Sequence, residues 1–460
     1  MTTDRRFTVS GKSVTVVGAA RSGVAAAELL VRRGAKVTLT DIREEVDQED
    51  RLRDAGVELE LGGHREATLT GADLIVMSPG VPLQAGVEAA RRAGVEVISE
   101  LELASRWLRG KVVAITGTKG KSTTTTLTGR MLEAGGRRAL VGGNIGLALS
   151  AQVDDSTEDT IHVVEVSSFQ LEGTSTFRPW IAVLLNFSPD HLDRHASVGE
   201  YAAAKARVFA MQAADDWAVL NADDAPSLAI ARRARGRRLL FSMKGAPEAG
   251  IVIEGETIVR RTASGQEPLV PLGAIQLIGR HLVADVLAAV AVASLAGVDA
   301  AAMTRAVETF TGLEHALEPV GEVGGVRFVN DSKATNIEAA RRAVESFDHG
   351  VVLILGGRFK GGDFADLLEP LRARRASVVA IGEARPLIVA ALKDRIPVHE
   401  STDMSAAVRT AFASAEPGQT VVLAPACASF DMFRDYAERG RVFKQEVSRL
   451  QEEWNVTREQ

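Results

Sequence analysis

One cysteine, Cys427, stands in 460 residues, which excludes an intrachain disulfide and fits a reducing compartment. No uninterrupted apolar run approaches the roughly 18 residues that a membrane span requires, so membrane insertion is not expected. A basic excess is missing too: 54 Lys and Arg against 60 Asp and Glu leave a net charge of −6, without the footprint of a nucleic-acid binder. Any anionic ligand must therefore be held by local groups. The stretch Met1 to Ser10 carries Asp4, Arg5 and Arg6 and no apolar h-region, so it does not read as a secretory signal, and a cytoplasmic location is expected. Neither a short-period repeat nor a low-complexity linker interrupts the chain.

The composition, 46% hydrophobic and 25% charged, is that of an ordinary globular protein, and the length suggests about three domains. Short β-branched runs alternate with helical patterns from the start: Val14 to Val17, a helix over Ser22 to Arg33, then Lys36 to Thr40 and Leu74 to Met77. That is a parallel α/β unit. A second unit begins at Val112 to Thr116, where an apolar strand runs into a Gly-rich turn and a helix starting near Lys121. A third begins at Val326 to Val329 and continues through Val351 to Leu355, Ser377 to Ile381 and Thr420 to Leu423, each followed by helical sequence. The expected fold class is α/β in three domains, each with a mostly parallel sheet: Rossmann-like, then P-loop-type, then Rossmann-like. Boundaries near Trp107 to Gly110 and Thr311 to Leu313 divide the chain into 1–108, 109–312 and 313–460. Lys244 to Pro271, rich in Gly and Glu, reads as hairpins or loops of the middle domain.

The run Gly117-Thr118-Lys119-Gly120-Lys121-Ser122-Thr123 follows the strand Val112 to Ile115 and precedes a helix. Glycines let backbone N–H groups turn toward an anion, and a helix N-terminus adds partial positive charge. Lys121 is placed to reach β- and γ-phosphates, and Ser122 to bind magnesium. The spacing differs from the standard P-loop, which would put glycine at 115, where Ile115 stands. The bland alternative is a Gly/Thr turn with an exposed lysine.

Three further residues carry chemistry. Glu165 ends the apolar strand Val163-Val164-Glu165-Val166, and a buried carboxylate beside phosphates suits magnesium, a hard cation that takes oxygen ligands. His191 lies in Asn186-Phe187-Ser188-Pro189-Asp190-His191-Leu192-Asp193, just after the apolar run Ile181 to Leu185, at the strand edge where α/β proteins bind ligands. Lys205 lies on a helix whose neighbours are small, Ala202-Ala203-Ala204-Lys205-Ala206. Taken singly, Glu165 also fits an ion pair, His191 a hydrogen-bonded turn, and Lys205 a solvated helix face.

Together these residues resemble the Mur ligase family, and the resemblance runs over nearly the whole chain. It rests on Gly117 to Thr123, Gly143-Asn144-Ile145-Gly146, Glu165 to Glu172, Asp190-His191-Leu192-Asp193-Arg194, Asn330-Asp331-Ser332-Lys333-Ala334-Thr335-Asn336, Leu355-Gly356-Gly357 and Pro425-Ala426-Cys427-Ala428-Ser429. The resemblance implies an ATP-dependent ligase with two magnesium sites, whose substrates are UDP-N-acetylmuramoyl-L-alanine and D-glutamate. A related Mur or folylpolyglutamate-type ligase is the alternative. Gly117, Thr118, Lys119, Gly120, Lys121, Ser122 and Thr123 would hold ATP, with Asp285 and Asp331. Ser122, Glu165, His191 and an N-carboxylated Lys205 would hold the metals. Lys121, Glu165, His191 and Lys205 would be the catalytic set. Gly18, Arg21, Ser22, Asp41, Ile42, Arg43, Gly80 and Asn144 would contact the UDP substrate, and Thr335, Lys360, Ser429 and Tyr436 the glutamate. A monomer is expected. Gly18-Ala19-Ala20-Arg21-Ser22-Gly23 lacks the middle glycine of a dinucleotide fingerprint, which disfavours NAD. Four residues depart from the family's pattern: Lys119 for an asparagine, Leu282 and Asp285 after His281 for two asparagines, and Ala316 for an arginine. Lys119 could supply the charge near the phosphates that Ala316 lacks.

Overall fold

The computed structural model describes residues 7–459 apart from 83, 193, 246, 280 and 281. Asp4, Arg5, Arg6, Asp193 and His281 lie outside the described residues. The first sheet contains β1 (Ser13–Val17), β2 (Lys36–Asp41), β3 (Val57–Leu61), β4 (Leu74–Met77) and β5 (Glu96–Ser99). All its pairings are parallel, in the order β3-β2-β1-β4-β5. The order reverses at β1, and the crevice beyond β1 and β4 is where such sheets bind ligands.

The second sheet contains β6 (Lys111–Thr116), β7 (Ala139–Gly143), β8 (Ile161–Glu165), β9 (Ile181–Leu184), β10 (Trp217–Asn221), β11 (Arg237–Ser242), β12 (Gly250–Glu254), β13 (Thr257–Thr262) and β14 (Gly265–Pro271). Its order is β14-β13-β12-β11-β10-β9-β6-β8-β7. β6 is wedged between β8 and β9, so the turn after β6 comes out between the ends of strands carrying Glu165 and Leu184. The segment expected as hairpins or loops forms antiparallel pairs, β12 with β13 and β13 with β14, on an otherwise parallel sheet.

The third sheet contains β15 (Glu318–Val323), β16 (Val326–Asn330), β17 (Val351–Gly356), β18 (Ser377–Ile381), β19 (Val398–Glu400) and β20 (Thr420–Leu423), ordered β15-β16-β20-β17-β18-β19. Only β15 is antiparallel to its neighbour. Period-2 alternation buries both faces of β17: Val351, Leu353 and Leu355 enter one core, Val352 and Ile354 the other. Strands covered on both faces read as continuous apolar runs, which is why these were visible in the sequence.

The first two sheets share one compact unit, residues up to 275 with 283–309, and the third sheet belongs to another, residues 276–282 with 310 onward. Within the first unit, buried Glu102 on helix Glu100–Ser105 accepts hydrogen bonds from the backbone N–H groups of Ser175, Thr176 and Phe177. Trp107, at the expected boundary, packs on both adjoining cores. No helix among the described residues is long and apolar enough to cross a membrane.

Candidate active site

The phosphate loop leaves β6 and is held from one side by the segment after β9. Thr118 N–H donates to Asn186 O (3.1 Å), and Lys119 N–H donates to Asn186 Oδ1 (2.9 Å). Asn186 Nδ2 returns a bond to Lys119 O (3.1 Å), and Thr118 Oγ1 exchanges bonds with the Ser188 backbone (3.1 and 3.0 Å). The helix Lys121–Ala134 then starts at Gly120, whose φ of 83° is left-handed. A Cβ at Gly120 would lie 2.1 Å from Asp285 Oδ1, so the loop rests directly on the helix Leu282–Leu295. Burial pushes the Asp285 carboxyl up to about 7, against the pull of Thr124 and Lys121. Asp285 thus underlies the loop from within the core.

Two lysines converge on one carbonyl. Lys121 Nζ donates to Gly117 O (3.1 Å) and Thr118 O (3.0 Å), and Lys205 Nζ donates to the same Gly117 O (2.8 Å). Lys205 is only 1% exposed, so the solvated-face alternative does not hold. The small residues of helix Val198–Ala206 leave its long side chain room to run inward. Burial, and then repulsion from Lys121, bring its ammonium down to about 7 despite Asp190 and Glu165. Glu165, 2% exposed, accepts from Asn144 Nδ2 through Oε1 (2.8 Å), while its buried Oε2 has no hydrogen-bond partner among the described residues. Its partner is therefore an amide rather than the cation of the ion-pair alternative. A desolvated carboxylate oxygen beside a phosphate loop has the chemistry of a hard-cation ligand.

His191 is exposed and has a left-handed φ of 55°. Its N–H donates to Asp190 Oδ1 (3.0 Å), and its ring meets Phe169 and Tyr201 edge-on. Asp190 is drawn up by burial but ends below its ordinary value because of Lys119 and His191. Lys119 Nζ lies 3.4 Å from Asp190 Oδ2, so its charge is directed at the His191 turn. No group of three or more His, Cys, Asp or Glu among the described residues is arranged to hold a metal. A cation here would need the Ser122 hydroxyl, a modified Lys205 or ligand oxygens as well.

Glu165 adjoins a second feature through Asn144. A cavity of about 160 Å³ is lined by Arg21, Ser22, Ser78, Gly80, Asn144 and Gly146, among others. The helix Arg21–Arg32 opens on it with no side-chain cap, which leaves N-terminal backbone donors available to an anion. Arg21 reaches across to Gly146 O (3.2 Å). Gly18 (φ 98°) allows the close turn: a Cβ there would meet Val81 Cγ2 at 2.5 Å. Asp41 braces this turn, accepting from Ala19 N–H (2.7 Å) and twice from the Arg43 guanidinium, which holds its carboxyl well below the usual range. Ile42 beside it is 68% exposed.

In the other unit, the loops after β16, β17 and β20 meet. Lys360 Nζ lies 3.5 Å from Thr335 Oγ1. Arg358 and Ala428 exchange backbone bonds (2.9 and 3.0 Å), which brings the Lys360 loop beside buried Ser429. Arg439, buried at 1% exposure, cross-links them by donating to Ser332 Oγ, Ser332 O and Cys427 O. Tyr436, which begins helix Tyr436–Glu459, is exposed and faces His315 edge-on. Burial pushes Asp331 up to about 7, opposed by the Leu317 N–H bond and Lys333. Sequence reasoning assigned no role to Arg439, Asn186 or Tyr201; Arg439, among Asp435, Glu438 and Arg441, carried no signal of its burial.

Comparison with known proteins matches this layout segment by segment. The family models for the MurD-like N-terminal domain, the Mur ligase middle domain and the Mur ligase glutamate ligase domain match residues 12–99, 115–293 and 317–427. The UDP-N-acetylmuramoylalanine--D-glutamate ligase of Acidobacterium capsulatum is 48% identical, covering 95% of this chain and 96% of that protein. The enzyme of the same name from Koribacter versatilis is 44% identical, covering 97% and 99%. Among solved structures, the MurF ligase of Thermotoga maritima in complex with ADP has a TM-score of 0.58 at 16% identity, covering 96% of each chain. That likeness is one of fold. The three domain matches in chain order, with identity of this level over nearly full length, show that the chain belongs to the Mur ligase family.

Proposed function

We propose that this chain joins D-glutamate to UDP-N-acetylmuramoyl-L-alanine, forming an amide and releasing ADP and phosphate, in cytoplasmic synthesis of peptidoglycan precursors. Members of the family depend on ATP, and relatives at 48% and 44% identity carry the name of this activity. The observation that carries the reading is the junction at Glu165. One of its oxygens holds Asn144 on the rim of the first-sheet cavity, while Lys205 and Lys121 meet on the phosphate loop. Residues 1–108 would bind the UDP substrate, 109–312 ATP, and 313–460 glutamate. The enzyme would act as a monomer.

In this reading the cavity seats the UDP-sugar through Gly18, Arg21, Ser22, Asp41, Ile42, Arg43 and Gly80, and Asn144 directs the alanyl carboxylate toward the phosphate loop. The carboxylate oxygen attacks the γ-phosphorus, ADP leaves, and an acyl phosphate remains. Lys121 turns from the loop carbonyls to the phosphates and offsets the charge that develops. Ser122, Glu165, His191 and Lys205 as its carbamate would hold two magnesium ions, which supply Lewis-acid stabilisation of phosphoryl oxygens. Thr335, Lys360, Ser429 and Tyr436 grip the glutamate so that its amine attacks the acyl carbon and phosphate departs. The test is ADP release with UDP-N-acetylmuramoyl-L-alanine and each glutamate enantiomer in turn. Release that requires the muramoyl substrate and D-glutamate is expected; equal turnover with L-glutamate, or turnover with a folate acceptor instead, overturns the reading.

A further inference from the structure

His195 is buried at 3% exposure, four residues after His191, and both of its ring nitrogens are engaged. Nε2 lies 2.9 Å from Ser168 Oγ, and Nδ1 lies 3.2 Å from Glu172 Oε1. The ring stacks on Phe169 at 5.1 Å and 11°, with Tyr201 against it at 5.1 Å. His195 therefore touches the first, second and last residues of the helix Ser168–Glu172. That helix is fixed at its start by a capping box between Ser167 and Gln170, and it begins three residues after Glu165.

The other end of the contact is the His191 turn. The N–H groups of His195 and Arg194 both donate to His191 O, at 2.9 and 3.0 Å. Those bonds hold His191 in a left-handed conformation that non-glycine residues seldom adopt and that costs roughly 1–3 kcal/mol unless the surroundings impose it. Phe169 touches the rings of both His191 and His195. Arg194 lies over Phe169 at 4.5 Å and donates to the Gly80 and Val81 carbonyls.

We propose that His195 is a positioning residue: it locks the turn bearing His191 to the helix that follows Glu165, and so fixes the separation of those two side chains. This rests on the reading that Glu165 and His191 serve bound magnesium. Groups that orient metal ligands from behind typically change metal affinity about 10–100-fold when lost. In His195→Phe, which keeps the stacking ring and removes both polar bonds, the half-saturating Mg²⁺ concentration for ligation should rise about tenfold with KM for D-glutamate unchanged. Mn²⁺ affinity with ADP present, read by electron paramagnetic resonance, should fall by a similar factor. Glu172→Gln, altered at the exposed partner, should show the same effect more weakly with an unchanged melting temperature, and it decides the matter where His195→Phe does not fold. Glu165→Gln is the control. If it lowers Mn²⁺ affinity while folded His195→Phe and Glu172→Gln leave Mn²⁺ and Mg²⁺ dependence at wild-type values, the positioning role is overturned and the metal site stands. If Glu165→Gln itself leaves Mn²⁺ affinity unchanged, the metal reading fails and this inference with it.

Discussion

Lys205 is held at 1% exposure with its ammonium on the carbonyl that also receives Lys121. Burial, and then repulsion from the like charge of Lys121 at the same oxygen, bring Lys205 down to about 7. A neutral amine is the form that captures carbon dioxide, and the carbamate proposed for Lys205 would replace repulsion by attraction toward Lys121 and would supply oxygen ligands for magnesium. Lys205→Ala should therefore lose most ligation activity, and millimolar acetate or propionate should restore part of it by placing a carboxylate in the vacated space. Near-normal activity, or loss without rescue in a folded variant, would refute the carbamate. The lysine was conspicuous in the sequence because it interrupts a run of alanines, and Glu165 because it is the single acid in an apolar strand. What the sequence could not show is that Lys205 meets Lys121 at Gly117 O, which depends on β6 lying between β8 and β9. Lys119 was read from the sequence as a charge near the phosphates; its direction toward Asp190 depends on the chain returning 71 residues later.

At the scale of elements, the phosphate loop was readable because its strand, glycines and helix start are contiguous, whereas its supports Asn186 and Asp285 come from distant segments. Gly120→Ala tests that support. Its φ of 83° disfavours a side chain, and the new Cβ would sit 2.1 Å from buried Asp285 Oδ1. The loop must move by a large fraction of an ångström, and kcat/KM for ATP should fall about 100-fold. Gly136→Ala, also at positive φ (70°) but with no described atom within 4 Å, should lose roughly 1–2 kcal/mol of stability and keep its ATP kinetics; equal kinetic losses in both variants would show that backbone strain alone is responsible. β8 supplies a pH prediction. His162 is fully buried, with Nδ1 on Gln152 Oε1 (3.0 Å) and Nε2 on Ser156 Oγ (2.8 Å). Burial, with Arg138, lowers it from 6.5 to about 4. Above pH 6.5 both folded and unfolded states leave it neutral and it costs nothing. As pH falls, the unfolded chain takes the proton first, so stability drops until the folded pKa of about 4 is passed. The total is on the order of 3 kcal/mol. Urea unfolding of wild type and His162→Gln should diverge in slope across that window, and parallel curves would remove His162 as the cause.

For the whole molecule, the residues of the proposed steps fall into two compact units. Lys121, Glu165, His191, Lys205 and the Asn144 cavity all belong to the first, while Thr335, Lys360, Ser429 and Tyr436 belong to the second. Three α/β segments were legible because parallel strands covered on both faces are apolar throughout. The grouping of the first two into one compact unit was not, since it comes from contacts such as Glu102 with the backbone at Ser175 to Phe177, and Arg32 and Arg33 with Asp154. A free amino acid needs its carboxylates bound by a cation and hydroxyl donors, and in the proposed reading Lys360 with Thr335 and Ser429 would provide that set on three loops of the second unit. If this unit delivers only the nucleophile, its loss should spare the step before it. Lys360→Ala and Ser429→Ala should each raise KM for D-glutamate at least about tenfold, the loss expected for one charge-assisted contact. The KM values for ATP and for UDP-N-acetylmuramoyl-L-alanine should stay within about twofold of wild type. Acyl phosphate formed without glutamate, trapped by borohydride reduction to the alcohol, should accumulate as in wild type. A parallel fall in trapped acyl phosphate would mean that the second unit takes part in phosphoryl transfer itself, through Asp331 or Lys333 for example, and that the two chemical steps are not divided between the units.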